Sequence, residues 1–377
     1  MIATKPAYLF DQRIARATSG TIIHMLRHGF LLFLSVALFA QGSSLQNPVV
    51  QPSNTNENLR GISMVSSKVA WASGTHGTYL RTTDGGRSWR PAQVPGAEAL
   101  DFRDVEAFDA TLAYLLAAGP GDQSRIYKTT DAGKTWTLQF TNKNPKGFFD
   151  CMAFWDLDHG IAIGDPVGVE QSASGKAGEL GFEVITTDDG GHSWTPIPPK
   201  ALPPSVDGEG AFAASGTCIA VQGKANVWFA TGGRVARVFH SADRGKTWSV
   251  ADTPIVHGPD SAGIFSIAFR DAKRGVIAGG DYKQPEQGGA SLAFTSDRGR
   301  TWQLSPVSPQ AYFSAVAYDR NHHRVLAIGT ALSIEIRQDL ARKLSGDNLN
   351  ALSISPDGHA IAVGPKGVIV DFSPSLK

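Results

Sequence analysis

Four carboxylates, Asp104, Asp150, Asp165 and Glu209, are the side chains best suited to acid–base chemistry. Glycosidic cleavage needs two carboxyl groups about 5–5.5 Å or 6.5–9.5 Å apart, one of them kept protonated by burial. A hydrolase reading therefore requires two of the four to share a cleft. Other reactive sets are poorer. Asp156-Leu157-Asp158-His159 has metal-ligating residue types, but the repeat described below aligns it with Arg270–Arg274 and Ser355–His359, a turn between strands. His322-His323 falls in the same turn. No His-x-Glu-x-x-His or Cys-x-x-Cys spacing suggests zinc. No glycine-rich loop opens a helix to cradle a phosphate, and Ser, His and Asp are too dispersed for a triad. The sequence thus offers no metal site, no cofactor and no ready catalytic set.

Five further aspartates recur in one eight-residue pattern, Ser/Thr-x-Asp-x-Gly-x-Ser/Thr-Trp. They are Asp84, Asp131, Asp189, Asp243 and Asp297, closed by Trp89, Trp136, Trp194, Trp248 and Trp302. The tryptophans stand 47, 58, 54 and 54 residues apart, room for one four-stranded sheet per interval. The pattern reads as a hairpin turn, the Asp-box (BNR) repeat. Asp and the leading Ser/Thr bond turn N–H groups, Gly accepts positive φ, and Trp packs on a neighbouring sheet. A turn repeated in blade after blade is structural rather than catalytic.

Each box is preceded by a short apolar strand ending in Gly, as in Val69–Gly74 and Gly160–Gly164, and this strand occurs seven times. The expectation is an all-β fold, a seven-bladed β-propeller in which the last two blades lack the box. Blades are expected near 57–96, 97–142, 143–204, 205–256, 257–308, 309–346 and 347–377, within a single domain over 43–377. The last blade supplies three strands, and residues near Asn47–Ser53 are expected to add the fourth and close the ring. Composition agrees: 41 Gly, 21 Pro and only 18% charged residues suit short strands and tight turns. With 35 Lys+Arg against 34 Asp+Glu the net charge is +1, which gives no field for nucleic acid.

Phe30–Ala40 is an 11-residue apolar run after Arg27 and His28, followed by small residues. It reads as a secretory signal within a 1–42 extension, too short for an ordinary span, with Met25 as an alternative start. The mature chain is expected in the periplasm or outside the cell, without an integral membrane span.

Asp101–Asp104, Ser124–Asp131, Asn144–Asp150 and His159–Pro166 resemble the photosystem II assembly factor (Ycf48-like) family and its secreted bacterial relatives, over most of 59–377. The resemblance implies a propeller that binds proteins rather than turning over a substrate, so the expected role is a non-enzymatic assembly scaffold in the cell envelope. The alternative is a sialidase-like or other Asp-box glycoside hydrolase, with a glycan as ligand. Against it, the chain has no Arg-Ile-Pro motif, and it holds one propeller where xyloglucan-cleaving enzymes resemble two in tandem.

A propeller gathers non-repeating side chains at one mouth, built by segments entering each inner strand and by loops after each second strand. The register assigns Arg60, Arg103, Asp104, Lys146, Phe148, Asp150, Glu209 and Tyr312 to the first set. It assigns Asp165, Arg234, Asp281, Tyr282 and Lys283 to the second. Mixed charges beside aromatics suit a polar ligand or a peptide. Cys151 and Cys218 occupy matching positions of adjacent inner strands, as either a disulfide or two buried thiols. Val167–Gly181, rich in Gly, Ser and Ala, reads as a surface insertion.

Overall fold

The computed structural model describes residues 47–168, 180–287, 289–307, 309, 311–321, 323–337, 340–344 and 348–373. The expected signal segment with Met25, and most of the 167–181 insertion, lie outside the described residues. Seven antiparallel sheets form among them, and the fold is the seven-bladed β-propeller expected from the repeats. Blade one comprises Leu59–Met64, Ala70–Gly74, Thr78–Thr82 and Arg90–Gln93. The inner strands of blades two to seven are Phe102–Ala107, Phe149–Phe154, Ile219–Gln222, Ala262–Phe269, Ala315–Asp319 and Ala351–Ile354. Val49–Gln51 pairs antiparallel with Ile369–Asp371 and supplies the outer strand of blade seven, so first and last strands share one sheet.

The box turns are alike in detail. In the first, Thr82 Oγ1 donates to Asp84 Oδ1 at 2.9 Å and accepts from Gly86 N at 2.9 Å. Ser88 N and Oγ donate to the two Asp84 oxygens at 2.9 and 2.6 Å. These Ser88 bonds hold the exposed Asp84 carboxyl down at about 2. Thr129 with Asp131, Thr187 with Asp189, Ser241 with Asp243 and Thr295 with Asp297 repeat the geometry. Left-handed backbone at two successive positions is what makes the turn, and Ala132, Arg244 and Arg298 accept it without being glycine.

Each box tryptophan packs into the interface with the preceding blade, where a flat ring covers much apolar surface. Trp89 is 1% exposed against Ile361 and Val363 of blade seven, and its Nε1 donates to Gln51 Oε1 at 2.9 Å. Trp136 meets Trp71 and Tyr79 of blade one edge-on. Aromatics of one blade also bond the next blade's box. Tyr79 Oη donates to Gly133 O, and Tyr114 Oη to Gly190 O, both at 2.7 Å. The core is therefore a ring of inter-blade seams rather than one central mass. In the seam between blades three and four, Cys151 and Cys218 form a disulfide with Cα atoms 6.0 Å apart. This settles the alternative left open by sequence: matching positions on adjacent inner strands fall inside disulfide reach.

Candidate functional site

The inner strands are bonded to one another by short polar side chains around the axis. Ser63, Asp104, Ser266 and Ser353 accept from Ala107, Met152, Val316 and Met64 N–H of the next blade, at 2.7–3.1 Å. Each inner strand begins at the expected mouth and ends in a turn at the opposite face. Side chains of the entering segments therefore converge at that mouth.

The mouth holds an aromatic cluster. Phe212 stacks on Phe265 with centroids 3.9 Å apart, and Tyr312 and Tyr282 meet Phe265 edge-on at 4.8 and 6.1 Å. Tyr282 is 48% exposed, and Tyr312 is buried. Arg60 lies near Tyr312 and Arg103. Burial, with Arg103 beside it, lowers its pKa, and its Nε is buried without a hydrogen-bond partner among the described residues. Arg103 Nε donates to Asp101 Oδ2 at 2.8 Å, and its guanidinium reaches Ala213 O at 3.2 Å. Lys146, Arg234 and Lys283 are exposed, with no acidic partner among the described residues. Asp281 Oδ1 accepts from Lys283 N at 2.9 Å and fixes the loop that displays Tyr282. Phe148, half-buried, holds Asp165 N on its carbonyl at 2.7 Å.

Two of the four carboxylates, the neighbours Asp150 and Asp165, hold a loop, and Asp104 and Glu209 flank it. Between the short strand Glu209–Gly210 and the inner strand of blade four, residues 211–217 cross towards the axis. Asp165 Oδ1 accepts from Ala211 N at 2.9 Å, and Asp150 accepts from Ala213 N. Gly216 sits against Asp104, where an added Cβ would fall 2.2 Å from Oδ1. Ser215 Oγ reaches Ser314 O of blade six at 3.0 Å. Contacts to blades two, three, five and six require this segment to span the mouth. Glu209 anchors its start: Oε1 accepts from Thr231 Oγ1 at 2.6 Å and Arg237 Nε at 2.9 Å, and Oε2 accepts from Val206 N at 2.9 Å and a second Arg237 nitrogen. Phe212, stacked on Phe265, and Ser215, bonded to Ser314, thus lie across the mouth. Nothing in the short-range pattern signals this, because every bond involved is long-range. Asp156 and His159, the metal-like pair, bond each other at 2.6 Å within their turn.

Burial pushes the carboxyls of Asp104 and Asp150 well up; Asp104 also faces Glu106, and Asp150 faces Asp165. Burial pushes Asp165 to about 6 and Glu106 to about 7. A carboxyl raised in the folded state contributes stability below its unfolded pKa, and this is lost as pH rises through the folded value. The box aspartates have the opposite sign and lose their contribution as pH falls from 3.8 towards about 2. The expected result is a melting temperature highest near pH 4 that falls as pH rises towards about 8. Differential scanning calorimetry across pH checks it, and Glu106→Gln should flatten the alkaline fall.

Two further hollows were not foreseen. A groove of about 950 Å³ runs between blades two and three, lined by Phe140, Phe149, Phe182, Trp194, Pro196 and Pro198. A second hollow, about 600 Å³, lies on the axis at the face opposite the mouth.

Fold and site together define a seven-bladed β-propeller with one aromatic and basic mouth. No protein-family model matches the sequence. The chain is similar to the photosystem II assembly lipoprotein Ycf48 of Synechococcus sp. (strain CC9902). The two are 24% identical over 280 residues, covering 72% of this chain and 69% of that protein. Among solved structures, YCF48 from Cyanidioschyzon merolae has a TM-score of 0.59 at 17% identity, covering 87% of this chain and 99% of that one. A GH74 xyloglucanase from Xanthomonas campestris has a TM-score of 0.55 at 15% identity, over 86% of this chain but 53% of the enzyme. These likenesses between structures concern the fold. Among the described residues, no helix is long and apolar enough to cross a membrane.

Proposed function

We propose that the chain is a non-catalytic scaffold of the cell envelope that binds a segment of a partner protein at the mouth. One observation carries the reading: Asp150 and Asp165 accept from N–H groups of residues 211–217, and Asp104 and Glu209 are taken up by Met152 N–H and by Arg237, while Lys146, Arg234, Lys283 and Tyr282 are left to the surface. Aromatic and arginine side chains are the residue types that anchor protein interfaces. Similarity to Ycf48, named for photosystem II assembly, supports an assembly role. The disulfide and the signal-like apolar run support a setting outside the cytoplasm. The preferred ligand is an extended peptide bearing a carboxylate, since Arg60 is half-buried and its Nε has no hydrogen-bond partner among the described residues.

Peptides selected for binding from a random displayed library test the reading. They should be enriched in acidic groups, and Arg60→Gln should weaken them at least tenfold, with Lys146→Ala acting more weakly. Glycan turnover by the parent protein that disappears in Asp150→Asn would replace the scaffold by the hydrolase.

A further inference from the structure

At the end of the axis away from the mouth, inner strands of six blades enclose a cavity of about 600 Å³. Apolar side chains, Ala153, Ile219, Ile267, Val316 and Leu352, with Phe269 and Tyr318 nearer the turns, share its walls with polar surface of nearly equal extent. Thr217, the last residue of the loop that spans the mouth, is part of the lining, so the cavity is approached from the opposite face. Into this space projects one carboxylate, Glu106. It accepts no hydrogen bond from any described residue and has no cationic partner among them.

The register shows how unusual that is. Residues equivalent to Glu106 in the inner strands of blades one, three, five, six and seven are Ser63, Ala153, Ala268, Ala317 and Ser353. Where the other blades carry a small side chain, blade two carries an acid. A half-buried carboxylate without a cation in such a place favours a proton or a bound positive charge. The other ionisable groups around it are few. Asp104 lies two residues away on the same strand, and Tyr318 and Arg320 line the same cavity from blade six. Lining residues of blades three, four, five and seven carry no ionisable side chain. Arg320 is exposed at the rim, where its guanidinium donates to Gln222 Oε1 and Phe269 O, both at 3.2 Å.

We propose that this axial cavity binds a small organic cation, an alkylammonium group on an apolar stem, with Glu106 as its counter-ion. The stem would lie along Ile267, Val316 and Leu352, and the ammonium would meet the carboxylate that the fold leaves unpaired. The Tyr318 ring lines the same space and suits a cation. The site is independent of the mouth and of any peptide bound there. Because burial holds the Glu106 carboxyl up at about 7, the site is fully charged only in mildly alkaline solution. An alkylammonium, with a pKa near 10.4, stays protonated throughout that range.

Calorimetric titration with n-pentylammonium, with neutral n-pentanol and with the tripeptide N-acetyl-Gly-Lys-Gly-amide tests the site. The amines should bind and pentanol should not, and affinity should rise about tenfold between pH 6 and pH 8 as the carboxyl ionises through about 7. Glu106→Gln, which keeps the side-chain shape and removes the charge, should weaken both amines at least tenfold while melting no lower than the parent. Tighter binding of the tripeptide assigns the site to a lysine side chain of a protein; tighter binding of pentylammonium assigns it to a free amine. Equal binding of pentanol, unchanged binding by Glu106→Gln, or no binding of either amine overturns the proposal.

Discussion

Replacing Arg324 by leucine is expected to cost about 3–5 kcal/mol of folding stability, because it takes a buried cation from between two buried acids. Arg324 is only 2% exposed, and it joins two strands of blade six, one of the two blades without an Asp-box. Its Nε and a second guanidinium nitrogen lie 2.8 and 2.7 Å from Asp319 Oδ2, and its third nitrogen lies 3.3 Å from Glu335 Oε1. Glu335 also holds Arg337 and Arg342 at the surface, so it retains cations when Arg324 is lost. The double variant Arg324→Met/Asp319→Leu should therefore recover most of the loss, as buried ion pairs replaced whole by apolar groups often do. Urea unfolding followed by tryptophan fluorescence measures both. A single variant within about 1 kcal/mol of the parent would show that the network does not hold blade six.

Reduction of the Cys151–Cys218 disulfide, or its replacement by two alanines, is the second large expected effect. The bridge closes a chain segment with a sequence separation of 67, and loop entropy in the unfolded chain gives a loss of about 4 kcal/mol. The loss should be read as a lower denaturation midpoint in reductant, with both thiols then accessible to alkylation. An unchanged midpoint with both thiols alkylated would mean that the seam between blades three and four holds without the bridge.

The parts of the molecule legible in the sequence are those whose causes are local. Within each box the Asp, the Gly and the two hydroxyls bond one another inside five residues, so the turn and its spacing can be read directly. Seven Gly-terminated strands then fix the number of blades. The mouth was legible only as a set of positions. That residues 211–217 cross it depends on Ser215 meeting Ser314 and Arg103 meeting Ala213, pairs about a hundred residues apart. No local pattern encodes such pairs. Two of the carboxylates singled out as acids for hydrolysis, Asp150 and Asp165, are in the fold hydrogen-bond acceptors for that segment. Glu106 went unnoticed, although aligning the inner strands would have set it against Ala and Ser at equivalent positions. Arg324 likewise reads as an ordinary strand-end charge until its two acidic partners are brought around it.

Photo-crosslinking of a library-selected peptide tests the scaffold account most directly. One protein carries p-benzoylphenylalanine in place of Tyr282 at the mouth, and a second carries it in place of Leu157, 55% exposed in a turn between strands at the other face. The account predicts a crosslink from position 282 that free peptide competes away, and none from position 157. A crosslink from 157 alone would contradict it and move the partner to the opposite face.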